Sequence, residues 1–169
     1  RDLHSFPTRR SSDLLIVSEG FIEPHFFAGF SGGRKSILPG IADARTVCGN
    51  HCAEFIAHPC TRTGILDSNP IHEDMVFSAR AAGLRFIVNT VQDADKRIIA
   101  AFAGDPFLAH EAGCGWVHRH LSVPRPEQEA DIVVTSNGGY PLDQNLCQCV
   151  KGMTAAESCV RQDGVIILC

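Results

Sequence analysis

Short apolar runs alternate with stretches of helical period along this chain, and that alternation restricts its fold more than any other feature. Residues 14–18, 85–91, 97–103, 131–135 and 165–169 are each too short for a buried helix and are rich in β-branched side chains, so they read as strands. Between them lie helical patterns. In 41–58 the residues Ile41, Val47 or Cys48, Cys52, Phe55 and Ile56 recur at helical spacing, with Gly49 as the weak spot that divides the stretch. Asn69-Pro70 opens a helix over 71–82 that Gly83 closes. A helix over 106–121 carries Phe107, Leu108, Ala112 and Trp116 on one side, and another runs from about Leu142 to Arg161. The turn 93–96 lets the second and third strands pair as a hairpin. The class implied is α/β, a mostly parallel sheet with flanking helices. The polar stretch 124–130 separates part of a first α/β domain, 14–123, from the start of a second, 131–169.

The two ends set limits. Residues 1–13 have no amphipathic period and no apolar stretch of a signal peptide, and they resemble translated adapter sequence, so they are expected to be non-native. The last strand stops without a turn, as expected of a fragment. A net charge of -4 and a pI near 6.0 leave no electrostatic footprint for nucleic acid. No apolar run approaches the roughly 18 residues that a membrane span needs. The eight cysteines are irregularly spaced in ordinary helix and strand patterns, which reads as reduced cytoplasmic thiols, most of them acting as small core hydrophobes.

Chemistry concentrates in residues 23–40, which set His25, Arg34, Lys35, Ser31 and Ser36 among four glycines and two prolines directly after a strand. In an open α/β sheet that is where ligands bind. Ser31, Gly32, Gly33, Arg34 and Lys35 read as an anion cradle, because glycines let N–H groups approach an anion and arginine adds a two-pronged donor. The intervals are wrong for a Walker A motif. His25, beside Phe26 and Phe27, stands at the edge of an apolar pocket where its basicity can be tuned for proton transfer. His51 and His58 lie seven apart on one predicted helix with Glu54 between them, a spacing open to a borderline metal. In the last helix Gln144, Gln148 and Lys151 form a polar stripe opposite Leu146, Val150 and Met153. Such a stripe suits the carboxylate and hydroxyl of a small acid, although taken alone it reads better as a solvated helix face.

The residues 23–40, then Gly49-Asn50-His51, then 139–153 closely resemble the nickel-pincer lactate racemase family. The resemblance extends from about Leu14 to Cys169 and covers the middle of the family's chain. It implies a nickel-pincer nucleotide (nickel pyridinium-3,5-bisthiocarboxylic acid mononucleotide) tethered as a thioamide to Lys35. It implies His51 as the protein ligand of nickel, His25 as one of two acid/base histidines, and Gln148 and Lys151 on the substrate.

The activity implied is racemisation or epimerisation of a small 2-hydroxy acid, lactate as the first guess, by proton-coupled hydride transfer through a bound keto acid. Cofactor-biosynthesis enzymes are the implied partners, with neither nucleic acid nor membrane. The family's second histidine and its substrate arginine belong to a segment upstream of Leu14, so the 169-residue chain is expected to be inactive. The alternative from the residues alone is a non-catalytic phosphate- or nucleotide-binding module built on residues 31–35.

Overall fold

The computed structural model describes residues 14–169; the segment expected to be non-native lies outside the described residues. The chain divides between Leu121 and Ser122 into two compact units.

The first unit holds, in order, β1 (Ile16–Phe21), β2 (Pro24–His25), β3 (Gly29–Phe30), a 3-10 turn (Gly33–Ser36), α1 (Ala44–Asn50), α2 (Ala53–Ile56), α3 (Pro70–Ala82), β4 (Leu84–Gln92), β5 (Ile98–Gly104) and α4 (Leu108–Leu121). β4 is the centre of a three-stranded sheet ordered β1-β4-β5. It pairs in parallel with β1 and antiparallel with β5 across the turn at 93–96. Leu84, Ile87, Asn89 and Val91 are the residues that β4 buries. The α/β class expected from the sequence holds, and the ladder is mixed because the β4–β5 hairpin expected from the turn at 93–96 is a local connection that needs no crossover.

Capping fixes α3. Asn69 accepts the N–H groups of Ile71 and His72, Pro70 stands at the first turn, and Gly83 closes the helix at φ 75°. Its inward face, Ile71, Met75, Ala79 and Ala82, joins two packed clusters. One contains Ile37, Leu84 and Ile87, the other Ala28 and Leu38. A third cluster, Ile22, Phe30, Val91, Cys114 and Val117, ties the first loop to α4.

Three local readings change. Gly49 lies inside α1, and the division expected there falls after it, where His51 caps α1 and Cys52 turns extended at ψ 157° to start α2. α4 buries His110, Gly113, Cys114 and Val117 instead of the expected Leu108 and Ala112 side, and Leu108 is 69% exposed. Among the described cysteines Cys114 is the one fully buried, so most are not core residues.

The second unit contains β6 (Ala130–Thr135), α5 (Leu146–Glu157) and β7 (Val160–Leu168), with β6 and β7 parallel. Its helix is shorter than the expected 142–161 at both ends. Asn145 caps it by accepting the Gln148 N–H, and past Ser158 the chain enters the ladder with β6 at Val160. Gln144 therefore precedes the helix. Among the described residues of α5, Gly152 and Ala156 are buried, and Gly152 donates its N–H to Asn137 at 2.9 Å.

Candidate active site

β1 leads straight into the glycine-rich loop, and Ser31 ties the loop's base together. Its hydroxyl donates to the Phe21 carbonyl at 3.0 Å and accepts the Glu23 N–H at 2.9 Å. The two-residue strands β2 and β3 then pair antiparallel, His25 opposite Gly29, so residues 26–28 form a hairpin tip. Gly29 is required there. It sits at φ +76°, and a Cβ would stand 2.3 Å from the Ile65 carbonyl oxygen. Beyond it, Gly33 donates its N–H to the amide oxygen of Asn89 at 2.8 Å, which anchors the 3-10 turn to the centre of the sheet.

Phe27 at the hairpin tip brings together three of the residues singled out from the sequence. The His25 ring meets it edge-on at 4.5 Å between centroids, and the His51 ring does the same at 4.8 Å. The Lys35 ammonium lies 5.7 Å from the centre of the same ring, within cation–π range. Phe27 is fixed in turn by Asn69, whose side-chain amide donates to its carbonyl at 2.9 Å.

The ring nitrogens of both histidines are set by the backbone. His51 Nδ1 lies 3.1 Å from the Val47 carbonyl, so Nδ1 carries the hydrogen and Nε2 keeps its lone pair. Burial lowers the basicity of His51 first, the Val47 bond opposes this, and the Lys35 charge lowers it further, which keeps the ring neutral. His25 has the other tautomer. Its Nδ1 accepts the Ala28 N–H at 3.3 Å, so the neutral ring carries its hydrogen on Nε2.

Arg34 departs from its expected role. It is 2% exposed and its donors point inward, to the carbonyls of Ala28 at 2.7 Å and Phe30 at 2.8 Å and to Nδ1 of His72 at 3.1 Å. His110 Nε2 stands 2.9 Å from its Nη1 and 2.9 Å from the Ser31 carbonyl. The guanidinium thus braces the loop from inside and offers no fork to an outside anion. With the Ser31 hydroxyl and the Gly33 N–H also engaged, three of the five residues read as an anion cradle over 31–35 brace the loop that presents Lys35.

Gln148 and Lys151 lie in the second unit, on the first two turns of α5, half-buried and exposed respectively. Asn137 holds that helix start by donating to the carbonyl of Gln148. His58 does not share a helix with His51, since α1 ends at Asn50 and α2 at Ile56, and its Nδ1 accepts the Cys60 N–H at 3.2 Å. No group of three or more His, Cys, Asp or Glu side chains among the described residues is placed to hold a metal ion. No helix of the described residues is long and apolar enough to cross a membrane.

Sequence reasoning missed Phe27 as a hub and Asn89, His72 and His110 as supports. Asn89 alone left a signal, as an amide in the middle of an apolar strand run.

Known proteins resemble the chain in sequence and in fold. Residues 8–64 match the lactate racemase N-terminal domain and residues 125–169 the lactate racemase C-terminal domain, together more than half of the chain. Over 154 residues the chain is 58% identical to a lactate racemase of Thermoanaerobacterium thermosaccharolyticum and equally to one of Lactiplantibacillus plantarum. Each match covers 91% of this chain and 36% of the relative. The structure of the lactate racemase apoprotein from T. thermosaccharolyticum is similar with a TM-score of 0.85 at 58% identity, over 91% of this chain and 36% of that one. A crystal structure of a Thermotoga maritima protein is similar with a TM-score of 0.60 at 26% identity, over 74% of this chain and 32% of that one. The chain thus spans about a third of the length of its curated relatives.

Proposed function

The chain belongs to the lactate racemase family, and from that membership we propose that it carries the cofactor-anchoring part of a racemase or epimerase of a small 2-hydroxy acid, lactate first. The observation that carries the reading is the convergence of His25, Lys35 and His51 on the ring of Phe27. Here an amine able to form a thioamide, a neutral imidazole with a lone pair on Nε2 and a second imidazole with a hydrogen on Nε2 share one corner.

That donor set fits a nickel-pincer nucleotide. Lys35 would tether it and His51 Nε2 would ligate its nickel, a role that a half-buried ring whose Nδ1 is tied to a carbonyl is built for. When bound, such a cofactor supplies an acceptor for the α-hydrogen of the substrate as hydride.

The residues of the chain do the remaining work. His25 moves the hydroxyl proton at Nε2, and its present tautomer readies it to donate. To accept instead, the ring must shift its hydrogen to Nδ1, which costs the 3.3 Å contact with the Ala28 N–H. Gln148 and Lys151 are assigned to the carboxylate and hydroxyl of the substrate, where an amide and an ammonium orient a small acid. The cofactor-making enzymes are the partners this scheme needs.

The test is intact-mass and peptide mass analysis of the full-length protein co-expressed with those enzymes. The expected result is a mass increase on Lys35 that disappears in Lys35→Ala; active enzyme with an unmodified Lys35 overturns the proposal. The rival phosphate-binding module loses ground to the loop itself, because Ser31, Gly33 and Arg34 spend their donors inside the fold.

A further inference from the structure

The most unusual buried group of the first unit is a cation that no carboxylate offsets. Burial lowers the Arg34 pKa to about 10, and the one group that works against this is Cys114, whose own burial keeps it an uncharged thiol up to about 12. His72 and His110 are likewise depressed, to about 4 and about 3, by burial first and by the Arg34 charge second. No acid is among the causes for any of the three. Their surroundings therefore carry a positive potential that solvent only partly screens.

A cavity of about 250 Å³ opens against this trio. Arg34, His72 and His110 line it together with Arg80, and Asp67 and Glu111 contribute exposed carboxylates. His25, Phe27, Lys35 and His51 are not part of its lining, so it is separate from the corner described above.

Two donors in it are uncommitted. His72 accepts from Arg34 at Nδ1, so its hydrogen sits on Nε2, which has no partner among the described residues. Arg80 rests its guanidinium 4.8 Å from the centre of the Phe107 ring and forms no ion pair among the described residues. The Asp105 carboxyl nearby is held below its ordinary value first by the N–H groups of Leu108 and Phe107, on which it spends an oxygen, and only last by the Arg80 charge.

We propose that this cavity is a second binding site, for a small oxyanion held between His72 Nε2 and Arg80 above the Arg34 charge. Carboxylate and phosphate share the chemistry required, namely oxygens that accept charge-assisted bonds. The volume is below the roughly 300–1,000 Å³ usual for drug-sized ligands, which limits the occupant to a compact anion. Asp67 and Glu111 lie in solvent, where their charge is screened, so they disfavour bulky polyanions more than small ones. Because Arg34 donates to the carbonyls of Ala28 and Phe30, occupancy is felt by the same loop that presents Lys35.

The experiment is a titration of the protein with inorganic phosphate and, separately, with acetate, at constant ionic strength set by chloride. It is followed by the imidazole resonances of His72 and by calorimetry. The expected result is saturable binding of at least one of the two anions, with His72 shifting, and at least a tenfold loss of affinity in Arg80→Gln. That variant is expected to keep the fold, since Arg80 is exposed and its guanidinium rests on the Phe107 ring. Saturation by phosphate alone assigns a phosphoryl ligand, and by acetate alone a carboxylate. Shifts that do not saturate, that chloride reproduces, or that Arg80→Gln leaves unchanged overturn the proposal. Binding is read without turnover, so its failure is independent of the proposed racemase activity.

Discussion

The amide oxygen of Asn89, buried in the middle of β4, accepts the backbone N–H of Gly33 at 2.8 Å across 56 residues of sequence. This bond sets the 3-10 turn carrying Lys35 on the centre strand of the sheet. Replacing Asn89 by Val improves strand propensity but leaves a buried N–H unpaired, and the unpaired group wins. Asn89→Val is expected to lose about 1–3 kcal/mol in urea unfolding; an unchanged midpoint would sink this account of the turn.

Arg34 makes a second test. Lysine keeps the charge but has neither the planar fork nor the reach to serve Ala28, Phe30 and His72 at once. Arg34→Lys therefore strands buried carbonyls beside a buried ammonium. The expected cost is about 3–5 kcal/mol, comparable to breaking a buried charged network. Equal stability of the lysine variant would show that charge alone holds the loop.

Acid should loosen the same network before carboxylates titrate fully. His110 has a folded pKa of about 3 and His72 of about 4, both below the ordinary histidine value of 6.5. The unfolded chain therefore binds more protons than the folded one as pH falls below 6.5, and stability drops through that window. The groups facing these rings are Arg34, the Ser31 carbonyl and Cys114, whose burial holds its thiol protonated up to about 12. Between pH 7.5 and pH 5 the expected loss is about 2 kcal/mol from His110, and less from the partly open His72. Denaturant unfolding at several pH values checks it, and His110→Asn should flatten the slope between pH 6.5 and 5.

Two glycines predict opposite signs. A Cβ at Gly29 meets backbone at 2.3 Å with φ at +76°, while one at Gly49, inside α1, meets nothing within 4 Å. Gly29→Ala should destabilise by more than about 2 kcal/mol, and Gly49→Ala should stabilise by about 0.5–1 kcal/mol through helix propensity. Thermal unfolding of the two variants gives the comparison directly.

The pattern of signs explains what could be read from the sequence. α3 and the β4–β5 hairpin were legible because their signals are local: Asn69-Pro70 and Gly83 at the helix ends, and a turn between two apolar runs. The inward face of α4 was not, because His110 is buried by a partner 76 residues away, Arg34, and no periodicity reports that. The early end of α5 was decided by the pairing of Val160 with Ala130, again a distant contact. Within the site, residue types were legible and their directions were not. Arg34 and Lys35 are neighbours in sequence, yet Arg34 turns into the core and Lys35 lies over Phe27.

Phe27 offers the sharpest separation of structure from function. Its ring contacts His25, His51 and Lys35, while its backbone carbonyl holds Asn69 and its side chain packs beside Ala28, Leu38, Ile71 and Met75. Leucine retains the carbonyl and most of the aliphatic packing but removes the flat face and edges that orient the two imidazoles. Phe27→Leu should thus cost less than about 1.5 kcal/mol in stability. The racemisation proposed for the loaded full-length protein should fall at least tenfold, since small displacements of reacting groups cost rate steeply. Matching unfolding curves with a collapsed turnover number support the aromatic corner as the working site. Full turnover in the leucine variant would move the chemistry elsewhere in the fold.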